Sequence, residues 1–82
     1  MYEQDVPILV VAGTYAQAMN WAHEHNLNLK QWRYVDGEHV LIGRRHNEIV
    51  FIGNWLEAEV MRIYASPQQL ADLRSFNLTL VE

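Results

Sequence analysis

Two short segments of this chain have residue types and spacings that suit anion binding. In each, an apolar run ends in glycine, and a residue that can cap a helix and an aromatic residue follow. The segments are Gly13-Thr14-Tyr15 and Gly53-Asn54-Trp55. Glycine permits a tight turn, and the free N–H groups at a helix start favour phosphate or carboxylate. The pattern predicts that both corners face one crevice and bind a phosphate-bearing ligand such as a nucleotide, with Arg44 or Arg45 assisting.

Ordinary helix capping is the alternative interpretation of these two corners, because Thr14 and Asn54 can each accept a hydrogen bond from a free N–H group. The sequence has no Gly-x-x-x-x-Gly-Lys-[Ser/Thr] run and no Gly-x-Gly-x-x-Gly run. Its one lysine, Lys30, follows no glycine-rich loop. We therefore do not expect a nucleoside-triphosphate hydrolase.

A basic and aromatic segment in the middle of the chain could bind single-stranded nucleic acid. Its candidate contact residues are Lys30, Trp32, Arg33 and Tyr34. Arginine binds phosphate and aromatic rings stack on bases, but strand alternation puts Arg33 on the face opposite Trp32 and Tyr34. An edge strand with core aromatics and solvated arginines is the alternative. The net charge of −4 argues against duplex nucleic acid.

The side chains that carry out most catalysis do not form a recognisable set. The chain has no cysteine, and its serines, Ser66 and Ser75, do not lie in a Gly-x-Ser-x-Gly turn. His23 and His25 flank Glu24, which is not the His-Glu-x-x-His spacing of a zinc protease. We therefore predict no enzymatic activity, no metal site and no cofactor.

Strands and helices that alternate along the chain predict the fold that positions these residues. Short apolar or β-branched runs predict strands at 6–12, 31–35, 49–52 and 78–81, and helical spacing and caps predict helices at 15–25, 55–64 and 66–75. Tyr15, Ala18, Met19 and Ala22 share one face of the first helix, with Gln17 on the opposite, polar face. Leu56, Val60, Ile63 and Tyr64 share one face of the second helix, and Leu70 and Leu73 point inward from the last. The prediction is a single Rossmann-like α/β domain over 1–82, with a mainly parallel three-stranded core sheet and a short C-terminal edge strand.

Residues 36–47 have two interpretations. Asp36-Gly37 is typical of a hairpin turn, after which Val40-Leu41-Ile42 would return as an antiparallel strand. The same residues can form one or two helical turns of a right-handed crossover to the next parallel strand. We favour the crossover, which brings both glycine corners to one edge of the sheet.

Size and composition favour association. A single core in 82 residues supplies only about 3–5 kcal/mol of stability. Three tryptophans, Trp21, Trp32 and Trp55, are also many for so short a chain. We therefore predict a homo-oligomer or a bound protein partner. The apolar run at 6–12 is too short to span a bilayer and does not resemble a signal peptide, so a cytoplasmic protein is expected.

Parts of the sequence resemble small uncharacterised proteins of tailed bacteriophages, particularly those that infect actinobacteria. The resemblance covers roughly residues 6–55, and its motifs are Trp32-Arg33-Tyr34-Val35, Leu41-Ile42-Gly43-Arg44-Arg45 and Ile49-Val50-Phe51-Ile52-Gly53-Asn54-Trp55. It implies a small Rossmann-like accessory protein that works in a host cytoplasm and binds a host or phage protein. Together with the residue patterns, it favours a non-enzymatic interaction module that self-associates.

Overall fold

A parallel four-stranded sheet forms the centre of the computed structural model, which describes residues 8–42 and 48–81. The strands are β1 (Ile8–Val11), β2 (Trp32–Tyr34), β3 (Glu48–Phe51) and β4 (Asn77–Leu80), in the spatial order β2-β1-β3-β4. The helices are α1 (Tyr15–Glu24) and α2 (Pro67–Arg74). The predicted α/β class is confirmed, and the C-terminal strand lies at the sheet edge beside β3.

The connection between β2 and β3 is a crossover, as predicted, and the hairpin alternative is wrong. Both strands pair in parallel with β1, from opposite sides. After Gly37 the chain makes a 3₁₀ turn at Glu38–Val40, and Val40 and Leu41 are buried in the core. This burial holds the segment over the sheet, where an antiparallel return beside β2 would leave both side chains without that packing.

The helix predicted at 55–64 is wrong. Two 3₁₀ turns replace it, at Trp55–Glu57 and Glu59–Arg62, and Ala58 between them is extended with φ −67° and ψ 147°. The buried side chains of this segment are Ala58, Val60 and Tyr64, whereas Leu56 and Ile63, which helical periodicity assigned to the same face as Val60 and Tyr64, are exposed. Tertiary packing therefore overrides the helical pattern here.

The sheet has an apolar cluster on each face. One contains Leu9, Val11, Val35, Val40, Leu41, Ile49, Phe51, Ala58, Val60, Tyr64, Leu70, Ala71 and Phe76. The other contains Val10, Ala12, Ala18, Ala22, Trp32, Val50 and Ile52. The α1 helix packs on the second face through the small side chains of Ala18 and Ala22. The inward orientation predicted for Leu73 on α2 is wrong, since 68% of this residue is exposed.

Both α-helices begin at the residues that the sequence indicates. Thr14 Oγ1 accepts the Gln17 N–H at 3.2 Å, and Ser66 Oγ accepts the Gln69 N–H at 3.1 Å. The α1 helix ends near Asn26, whose φ of 58° is the left-handed conformation expected of an asparagine at a helix exit. Across residues 8–42 and 48–81, none of the helices has the length and apolar character needed to traverse a bilayer.

Candidate functional site

The two glycine corners meet at the carboxyl ends of β1 and β3, as predicted. The approach is so close that a Cβ atom added to Gly13 would lie 2.7 Å from Asn54 Cβ and 2.8 Å from the Asn54 carbonyl oxygen. The chain goes from β1 to β2 on one side and then returns to β3 on the other. A reversal of this kind marks the usual ligand crevice of an open parallel sheet.

The side chain of Gln17 fills this crevice. Its Oε1 atom accepts the Gly13 N–H at 3.1 Å and the Asn54 N–H at 3.2 Å. One carboxamide oxygen therefore joins the two corners and takes the position that an oxygen of a bound anion would need. The prediction of an anion site did not include Gln17, which its helical position had placed on the polar face of α1.

A capping pattern in the sequence could have identified this role of Gln17. Thr14 and Gln17 have the Ser/Thr-x-x-Glu/Gln spacing of a capping box, and so do Ser66 and Gln69. In both helices the glutamine accepts from the residue before the cap, since Gln69 Oε1 accepts the Ala65 N–H at 2.6 Å. The α1 box differs in that its glutamine also reaches the second corner, 37 residues away.

The structure brings together only some of the residues that were predicted to bind phosphate. Thr14 caps α1, whereas the Asn54 side chain makes no capping bond and is followed by a short 3₁₀ turn. Trp55 packs edge-on against Phe51, with ring centroids 5.7 Å apart. Arg44 and Arg45 lie outside the described residues. Phosphate binding at these corners stays a prediction, and it would require Gln17 to move aside.

Replacing Gln17 with alanine is expected to lower the free energy of unfolding by about 1 kcal/mol, because two N–H groups lose their acceptor. Urea denaturation measures this loss. Gln17→Glu is the matched variant, since its carboxylate keeps an acceptor beside both N–H groups and the start of α1. It should be at least as stable as the natural chain at neutral pH and lose that advantage in acid. Equal destabilisation by both variants at neutral pH would contradict the bridging role.

The basic and aromatic segment does not form a stacking platform around Trp32. Only 6% of Trp32 is exposed, and its ring stacks against Tyr15 with centroids 6.0 Å apart. Tyr34 meets the same Tyr15 ring edge-on at 5.5 Å, and Arg33 is exposed at the intervening position. Burial, followed by the nearby Asp36 charge, raises the pKa of Tyr34. Single-strand binding by this segment stays a prediction, with Trp32 unavailable to stack on a base.

An open groove of about 620 Å³ lies between the second half of α1 and the chain that leads into β2. Its walls are mostly apolar, with polar groups contributed by His23, Asn28 and Lys30. The apolar lining residues are Met19, Ala22, Leu27, Leu29 and Trp32. Sequence reasoning missed this groove, because it depends on how the turn after α1 is placed. Side-chain oxygens hold that turn: Asn28 Oδ1 accepts the Lys30 N–H at 2.8 Å, and Gln31 Oε1 accepts the Asn28 N–H at 2.9 Å.

Both outer edges of the sheet have backbone groups that no residue within 8–42 or 48–81 pairs with. At β2 the Gln31 carbonyl accepts from the Ile8 N–H, and the Val35 N–H donates to the Val10 carbonyl, each at 2.9 Å. Alternation then directs the N–H and C=O groups of Trp32 and Tyr34 away from β1. At the other edge the Val81 N–H donates to the Phe51 carbonyl at 2.9 Å, so the same groups of Leu78 and Leu80 face outward.

A polar cluster on the opposite face of the sheet from α1 has a structural role. Tyr64 Oη donates to Glu38 Oε2 at 3.1 Å, while Arg74 contacts both through Nη2 to Glu38 Oε2 at 2.8 Å and Nε to Tyr64 Oη at 3.1 Å. The hydrogen bond to Tyr64 is the main cause that raises the pKa of Arg74. These bonds tie the crossover to α2.

Comparison with protein-family models, with curated proteins and with solved structures finds no match to this chain. The resemblance to bacteriophage proteins therefore stays a prediction.

Proposed function

We propose that this chain is a non-enzymatic protein-interaction module that self-associates through β4. Two copies would pair their β4 strands antiparallel about a two-fold axis, which joins both sheets into one of eight strands. The observation that carries the proposal is the open, uncharged β4 edge with its exposed leucine.

The composition of β4 lacks the features that normally prevent strand edges from pairing. Its four residues are Asn77, Leu78, Thr79 and Leu80, with no proline, lysine or other charged side chain. Natural proteins protect such edges with charges, prolines or bulges. Half of Leu80 is exposed, at 51%, and Thr79 is exposed as well. An edge of this kind is suited to pairing with another strand.

One antiparallel register uses every outward-facing group of β4. With Thr79 of both copies at the two-fold axis, Leu78 of one copy lies opposite Leu80 of the other, and each such pair exchanges two backbone hydrogen bonds. Leu78 and Leu80 lie on the same sheet face as Ile49 and Phe51. The leucine pairs would therefore extend that apolar face across the interface. The two threonines would form a closely spaced pair on the other face.

The β2 edge is less suited to self-pairing. Its central residue, Arg33, would lie opposite its own copy in the register centred on that residue, and like charges that face each other destabilise a strand pair. Lys30 adds a second positive charge just before the strand. The distribution of charge thus favours β4 as the self-association edge.

Charge substitution at the two-fold axis tests this dimer. Thr79→Lys or Thr79→Glu alone should raise the dimer dissociation constant at least about tenfold, because each places two like charges side by side. Mixing the two variants should restore a dimer, now with one copy of each. Analytical ultracentrifugation measures the dissociation constants, and native mass spectrometry identifies the mixed species. Thr79→Val, which keeps a β-branched neutral residue, and Leu29→Lys, at an exposed site beside the opposite edge of the sheet, are controls that should still dimerise.

Two results would contradict the proposal. One is a natural chain that stays monomeric up to about 1 mM, where an association free energy of only about 4 kcal/mol would be detected. The other is a dimer that persists in both Thr79 variants, which would place the interface elsewhere.

A further inference from the structure

We infer that the β2 edge and the groove beside it bind an extended peptide segment in which apolar residues alternate with acidic ones. The segment would add to the sheet as a fifth strand next to β2. The β2 edge lies on the opposite side of the sheet from the β4 dimer. The inference rests on the proposed function only in taking the chain to be an interaction module.

The backbone of β2 can hold such a segment. The N–H and C=O groups of Trp32 and Tyr34 face away from β1, and no described residue bonds to them from outside the sheet. They are spaced by two residues, which is the repeat with which an added strand forms its hydrogen bonds. Peptide recognition by strand addition takes affinity from these bonds and specificity from neighbouring pockets.

The groove supplies the neighbouring pocket on the α1 side of the sheet. Trp32 belongs both to β2 and to the groove wall, so the open edge and the groove are continuous. Alternate side chains of an added strand point to this side. There they would meet Met19, Leu27 and Leu29, of which Leu29 is 78% exposed. Apolar side chains suit these positions.

The charges around β2 select acidic residues in the partner. Lys30 lies in the groove wall with His23, and no carboxylate is among the lining residues. Arg33 is exposed on the other face of β2. The side chains that alternate with the apolar ones point to the Arg33 face, so acidic residues suit those positions and basic residues would be repelled. The burial of Trp32 favours a peptide over a nucleic acid, because its ring cannot stack on a base.

Selection from a random displayed-peptide library tests the sequence preference. The monomeric Thr79→Lys variant serves as the target, so that the result does not depend on the β4 interface. Enriched peptides should alternate apolar residues with Asp or Glu and lack proline. An enriched peptide should bind at least about tenfold more weakly to the Arg33→Glu variant, whose new carboxylate faces the acidic side chains of the peptide. Arg62→Glu changes the net charge equally in the connection from β3 to β4, where the Arg62 side chain is 79% exposed, and should leave affinity unchanged.

Two further measurements separate strand addition from side-chain docking in the groove. Amide hydrogen exchange by NMR should show Trp32 and Tyr34 unprotected in the free protein and protected in the complex, while Arg33 is protected in both. N-methylation of every second peptide amide should abolish binding when the modified amides are those that face β2. It should leave binding nearly unchanged when the other set is modified.

The results that would overturn the inference are specific to this edge. They are enrichment of basic or proline-rich peptides, no enrichment above background, equal binding to the Arg33 and Arg62 variants, or a complex in which the Trp32 and Tyr34 amides remain unprotected. None of these outcomes bears on the β4 dimer. Conversely, a natural chain that is monomeric would leave this test unchanged.

Discussion

Replacing Gly13 with alanine is expected to lower the free energy of unfolding by about 2–3 kcal/mol, because it forces a methyl group into the contact between the two corners. The new Cβ would lie 2.7 Å from Asn54 Cβ and 2.8 Å from the Asn54 carbonyl oxygen. The backbone oxygen belongs to the exit of β3 and cannot turn away as a flexible side chain can. Thermal unfolding followed by circular dichroism should show a fall of roughly 10–20 °C in Tm.

Gly37→Ala is the matched control for this substitution. A Cβ at Gly37 would meet only the ring of His39, at 3.0 Å from Nδ1. This side chain is exposed and its Nε2 lies 3.2 Å from the exposed Asp36 carboxylate, so a small shift of the ring costs little. Little change in Tm is expected. Adding Asn54→Gly to Gly13→Ala removes the Cβ contact but keeps the contact with the carbonyl oxygen, so it should recover only part of the loss. A Gly13→Ala variant as stable as the natural chain would show that the corners are farther apart than described.

Replacing Arg74 with methionine is expected to lower the free energy of unfolding by about 2 kcal/mol, since the variant loses a hydrogen bond to a carboxylate and one to a hydroxyl. Both bonds are partly shielded, because 28% of the Arg74 side chain and 40% of the Glu38 side chain are exposed. Methionine keeps the unbranched apolar stem of arginine, so the loss reports mainly on the polar contacts. Urea denaturation at neutral pH measures it.

A double-mutant cycle separates this contact from general damage to α2. Glu38→Gln and Arg74→Met should each destabilise the protein, and the double variant should cost less than the sum of the two. Tyr64→Phe removes only the hydroxyl that contacts both partners and should cost about 1 kcal/mol. Strict additivity of the Glu38 and Arg74 effects would mean that the two side chains do not interact in solution.

Local signals made most of the fold predictable. Apolar runs between glycines and caps identified the strands, and Thr14 and Ser66 identified both α-helix starts. The crossover could be favoured over the hairpin because the dozen residues at 36–47 are just enough to connect one parallel strand to the next. Convergence of the two glycine corners followed from that choice, and the contact between Gly13 and Asn54 confirms it.

The remaining features depend on contacts between distant parts of the chain. The segment after Asn54 has helical spacing, yet it forms two 3₁₀ turns instead of an α-helix, with Ala58 and Val60 buried. Gln17 was assigned to a solvent-facing surface, and only the position of the second corner shows what its oxygen binds. Likewise, the neutrality of the β4 edge is visible in the sequence, but its position at the outside of the sheet is not.

The strand order has a kinetic consequence. Every strand pair in this sheet joins segments that are separated along the chain by a crossover, so no local hairpin can act as a folding nucleus. The transition state must therefore close long loops before any ladder forms, and that loop-closure entropy slows folding. For a chain this short, folding should be slow relative to helical proteins of equal length. By the same argument, the pairing of β1 with β2 should form first, because it closes the shortest loop of the three strand pairs.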